Sequence, residues 1–127
     1  MKAFKYLMVF IFLNASIICL AQQESTPTDE VIVHDPVAIK SNGKYYLFCT
    51  GRGIAMFSSE DLEEWKREAP VFSKKPEWTD SVVPNFGNHI WAPDITEFEG
   101  SFYLYYSVSA FAKNTSAIGL AINKTLD

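Results

Sequence analysis

Beyond residue 21 the sequence holds a single cysteine, Cys49. A disulfide framework is therefore excluded, and any core must come from packing. Cys49 stands among aromatic residues and reads as a small core hydrophobe. Histidine is equally scarce. Of the two, His34 and His89, the latter has no acidic or histidine partner at metal-ligand spacing. Positive charge is also short. Two of the eleven basic residues, Lys2 and Lys5, fall within the first 21 positions. The remainder carries nine basic against fifteen acidic residues, a formal charge of −6. That balance argues against nucleic acid or an anionic membrane surface as a partner. A neutral polymer such as a polysaccharide would not be repelled.

What is present begins with a basic start, an apolar run from Tyr6 to Leu20 and a small residue at Ala21. This reads as a secretory signal peptide, residues 1–21, cleaved after Ala21. The run is short for a membrane span and no stop-transfer pattern follows. The expected location is therefore secreted or periplasmic, with no membrane association after cleavage. An uncleaved anchor is the alternative; bulky Ile18 argues against a lipid anchor at Cys19. Residues 22–30 are polar, contain Pro27 and read as a flexible leader.

From Val31 onward short strand-like segments alternate with turns, and no long helix is expected. Asn42-Gly43 is a strong hairpin signal before the strand Lys44–Thr50. Gly51-Arg52-Gly53 reads as a turn and Ile54–Ser58 as a strand. The acidic run Ser59–Glu64, ahead of Trp65, reads as a solvated face. Residues 66–89 read as irregular, with Pro70, Pro76 and Pro84. Ile95–Phe98, Ser101–Ser107 and Ala117–Ile122 complete the expected strands.

These pieces repeat. The aromatic strands Lys44–Thr50 and Ser101–Ser107 are offset by 57 residues, and Asp94 is the counterpart expected for Asp35. A strand-only repeat of this length suggests β-propeller blades. Both aromatic strands are apolar on both faces, as blades that pack on two sides require. Two blades do not close a ring, so the expected fold class is all-β: residues 31–127 as the N-terminal part, about two blades, of a longer propeller.

One carboxylate stands out. Asp35 follows the apolar run Val31-Ile32-Val33 and sits between His34 and Pro36. Proline disfavours the helical region for the residue before it, which predicts an extended Asp35 on a stiff strand start. A general base that must aim at one water needs such a mounting. The structural alternative is an Asx turn.

His34-Asp35-Pro36, Tyr45-Tyr46-Leu47-Phe48, Asn88-His89-Ile90-Trp91-Ala92-Pro93-Asp94, Tyr103–Ser109 and Asn114–Ala121 together resemble glycoside hydrolase family 43. Within it the endo-α-1,5-L-arabinanases are most similar. The resemblance implies a five-bladed propeller and an inverting enzyme with three carboxylates. It implies that Asp35 is the general base and that His34 lines the deepest sugar site. Trp91 would stack on a furanose ring, and Phe111 and Ala112 would line the cleft, with glycine more usual at Ala112. Asp94 would make structural hydrogen bonds at a strand start. The second catalytic Asp and the acid Glu would lie beyond residue 127. None of Glu60, Glu63, Glu64, Glu97 or Glu99 has a matching context. No cofactor is expected within this chain, although the family often holds calcium on the propeller axis.

The substrate so implied is arabinan, cut at internal links, or arabinoxylan. Alternatives are another family 43 activity (α-L-arabinofuranosidase or β-xylosidase), a truncated product without catalysis, and a small two-sheet sugar-binding module.

Overall fold

The computed structural model describes residues 26–126. The expected signal peptide, Cys19 and the first leader residues lie outside that range.

The elements in chain order are β1 (Val37–Ser41), β2 (Lys44–Cys49), β3 (Gly51–Arg52), β4 (Ala55–Ser59), β5 (Lys66–Arg67), the single helical turn α1 (Thr79–Val82), β6 (His89–Phe98), β7 (Ser101–Ser109) and β8 (Ser116–Asn123). They form two four-stranded sheets, β1-β2-β4-β5 and β3-β6-β7-β8. The fold is almost entirely β, and the two sheets are successive blades of a propeller.

Both hairpins that open the blades are built alike. Asn42 and Gly43 have φ of 50° and 83°, and Glu99 and Gly100 have 49° and 66°. Two successive positive φ values define a turn whose twist matches the strands it joins. Ser41 pairs with Lys44 across the first turn, and Phe98 with Ser101 across the second.

The core lies between the blades. Tyr46 and Phe48 of β2 meet Ile90, Leu104, Tyr106 and Val108 of the second sheet, and Val83 and Phe86 after α1 close one side. Tyr106 packs on Phe72 at 5.1 Å between ring centroids, and its hydroxyl accepts from Trp78 Nε1 at 3.4 Å. Gly119, opposite Tyr106 on β8, leaves the space this ring fills: a Cβ there would lie 2.3 Å from the ring. Burial pushes the Cys49 thiol above its ordinary range, against a smaller lowering by Arg67. The second blade's other face carries Phe98, Tyr105, Ile118, Leu120 and Ile122 exposed, matching the two-faced apolar pattern of the sequence.

Several expectations need correction. Gly51-Arg52 is not only a turn. It is a strand that leaves the first blade and pairs with His89 and Ile90 of the second. The segment 66–89 is less irregular than expected, since it contains β5 and α1. β6 begins at His89, not Ile95, with a bulge between Trp91 and Asp94. The leader is tied down at Thr28, whose N–H and carbonyl pair with Trp65 at 2.9 and 2.8 Å. The acidic turn is more than a solvated face. Asp61 Oδ1 accepts from the N–H groups of Glu63 and Glu64 and from the Ser59 hydroxyl. Those bonds, Glu64's first, hold its carboxyl below the usual range.

Candidate active site

Antiparallel pairing brings distant segments to one end of the two blades. Val37, the first residue of β1, pairs with Phe48 near the end of β2. Gly51 pairs with Ile90, Trp91 with Ser107, and Ser109 with Ser116. The loop before β1, the β2–β3 junction, the start of β6 and the β7–β8 loop therefore share this end. They carry His34 and Asp35, Thr50, Trp91 and Ala92, and Phe111 and Ala112 in turn.

Asp35 is exposed and sits in a bend immediately before β1. Its backbone is not extended as expected; φ is 50°. Residues 31–33 form no strand. Aspartate tolerates the left-handed region better than most residues. Here long-range hydrogen bonds outweigh the preference set by Pro36. Thr50 N–H donates to the His34 carbonyl at 3.0 Å. The Thr50 hydroxyl donates to Asp35 Oδ2 at 2.7 Å, and it accepts from the Ala92 N–H at 2.8 Å. Oδ1 of Asp35 makes no hydrogen bond among the described residues.

His34 is exposed beside Asp35. Trp91 lies partly buried, with the His89 ring at 4.7 Å in a T-shaped arrangement and its own Nε1 buried with no hydrogen-bond partner among the described residues. Phe111 is 87 % exposed on the β7–β8 loop. Ala112, beside it, has φ of 57°, the conformation in which glycine is at home.

Asp94 departs from expectation twice. It stands inside β6, where pairing resumes after the bulge, and its exposed side chain makes no hydrogen bond among the described residues. Nor is it the counterpart of Asp35. At the 57-residue offset Asp35 falls on Ala92 and Pro36 on Pro93. Ala92 has φ of 42°, the same unusual state as Asp35. Thr50 escaped the reading of the sequence. A signal was available, since the same offset puts a second hydroxyl residue, Ser107, at the equivalent point of the second blade.

Among the described residues no three His, Cys, Asp or Glu side chains cluster closely enough to hold a metal ion. A groove of about 540 Å³ is lined by Tyr46, Phe48, Ile95, Leu104 and Leu126. It belongs to the space between the sheets, not to the end where Asp35 stands.

An exposed carboxylate with one oxygen held and the other free, near exposed aromatic surface, can accept a proton from a bound water beside a sugar. Two antiparallel blades that bring such a carboxylate to their shared end define a protein of the β-propeller class. The chain belongs to the glycosyl hydrolases family 43, whose model matches residues 25–127. It is 48% identical over 122 residues to the extracellular exo-alpha-(1->5)-L-arabinofuranosidase ArbA of Cellvibrio japonicus, covering 96% of this chain and 33% of that protein. It is 40% identical over 99 residues to the extracellular endo-alpha-(1->5)-L-arabinanase 1 of Bacillus subtilis, covering 75% and 31%. The structure of Cellvibrio cellulosa alpha-L-arabinanase complexed with arabinohexaose superposes with a TM-score of 0.73 at 52% identity, over 77% of this chain and 31% of that one. The chain thus spans about one third of the length of the relatives it matches.

Proposed function

We propose that the chain is the front portion of a secreted glycoside hydrolase that cleaves α-1,5-linked arabinan with inversion, and that Asp35 is its general base. The observation that carries this reading is the mounting of Asp35, with Oδ2 fixed by Thr50 and Oδ1 free at the aromatic end of the blades. In the reaction Oδ1 takes a proton from a water on the face of the sugar opposite the leaving oxygen. The water attacks the anomeric carbon as the glycosidic bond breaks. The general acid that protonates the leaving oxygen comes from residues after 127, roughly 6.5–9.5 Å from the base so that the water fits between them. Trp91 and Phe111 offer flat apolar faces to furanose rings, and His34 lines the deepest sugar position.

Endo action is the first reading. Exo action is the second, favoured by the exo-acting name of the relative that matches 96% of the chain. The test is hydrolysis of linear arabinan by the secreted protein. NMR of the first product reports the anomer, and inversion supports the reading. Retention overturns the base role. A rapid fall in viscosity with mixed oligomers marks endo action; a single short product from one end marks exo action.

A further inference from the structure

The hydrogen bonds of Thr50 have a direction that can be deduced. A threonine hydroxyl has one proton and two lone pairs. The Ala92 N–H can only donate, so at 2.8 Å it occupies a lone pair of Thr50 Oγ1. The one Thr50 proton is then free for Asp35 Oδ2, an acceptor at 2.7 Å. The chain of donors runs from the backbone of the second blade, through Thr50, to the carboxylate on the first. Thr50 is itself anchored, because its own N–H is held by the His34 carbonyl at 3.0 Å. It sits at the junction where the chain leaves β2 for β3 and so crosses from one sheet to the other.

We propose that Thr50 is a positioning residue for Asp35. It fixes the carboxylate rotation and reserves Oδ1 as the oxygen that meets the water. It also ties that orientation to the packing of the two blades through the Ala92 N–H. The inference rests on Asp35 acting as the base. Thr50 touches neither sugar nor water in this role, so its loss is felt in turnover and not in substrate binding. Misplacing a reacting group by about 1 Å can cost on the order of 100-fold in rate.

The test uses the full secreted protein with Thr50→Val, Thr50→Ser and Asp35→Asn, assayed on linear arabinan. Thr50→Val keeps the shape and removes the hydroxyl; Thr50→Ser restores it. Expected for Thr50→Val is a kcat lower by about 10- to 100-fold with KM within about twofold, and for Thr50→Ser recovery of most of that loss. Should valine disturb the junction and lower the melting temperature, Thr50→Ala gives the same comparison without added bulk. Unchanged kcat in the hydroxyl-free variants, equal losses for valine and serine, or a loss confined to KM would each overturn the proposal. Asp35→Asn separates the two claims. If it abolishes turnover while Thr50→Val leaves kcat unchanged, the positioning role fails and the base assignment stands. If Asp35→Asn remains active, the base assignment itself is wrong.

Discussion

Asp35 and Ala92 occupy the same place in successive blades. Each precedes a proline, each has a left-handed backbone, with φ of 50° and 42°, and one hydroxyl, that of Thr50, bonds to both. The backbone geometry is thus a property of the repeat, and only the first copy adds a carboxylate to it. In Ala92 the N–H serves where Asp35 uses its side chain.

The second hairpin carries a residue that does not suit its turn. Glu99 holds φ of 49° where the first hairpin has Asn42. Asparagine adopts that region more readily than glutamate. Glu99→Asn is expected to raise stability by up to about 1 kcal/mol, read from urea unfolding of the protein. A lower midpoint would show that the turn tolerates glutamate for another reason.

Gly119 is expected to be intolerant of any side chain. Its missing Cβ would meet Tyr106 at 2.3 Å, and Tyr106 is 2 % exposed and backed by Phe72. The ring has nowhere to retreat. Gly119→Ala should cost about 1–3 kcal/mol by overpacking, seen as a lower urea midpoint. Unaltered stability would mean that the ring moves freely.

Asp61 gives a pH-dependent prediction. Its carboxyl is held below the usual value by the N–H groups of Glu64 and Glu63 and by Ser59. A group with a depressed folded value contributes stability that is complete above the unfolded value, about 3.9. That contribution is lost as pH falls through the folded value. Asp61→Asn removes the titration. The melting-temperature advantage of the native protein over the variant should therefore be constant from pH 7 to about pH 5 and shrink below about pH 4. A difference that stays constant to pH 2 would contradict it.

Much of this was legible in the sequence. Asn42-Gly43 announced the first hairpin, and the 57-residue offset announced the second blade. Exposed Tyr105 of β7, flanked by exposed Ile118, Leu120 and Ile122 of β8, shows why that aromatic strand does not alternate cleanly. What stayed hidden depended on long-range contacts. A two-residue strand such as Gly51–Arg52 has no periodicity to read. Asp35 was expected to be extended because Pro36 is a local signal, whereas its conformation is set with Thr50, 15 residues away. The bond from Ala92 to Thr50 spans 42 residues and leaves no mark on either neighbourhood. The aromatic repeat aligned the strands, but the nearest aspartate drew Asp94 into a match that the backbone assigns to Ala92.

The most direct measurement is turnover of linear arabinan by the full-length protein carrying Asp35→Asn, alongside its circular dichroism and melting temperature. A native fold with kcat reduced by a factor of at least about 10²–10⁴ is the expected result for loss of the general base. A native fold with turnover close to that of the unsubstituted protein would contradict it and remove Asp35 from the reaction.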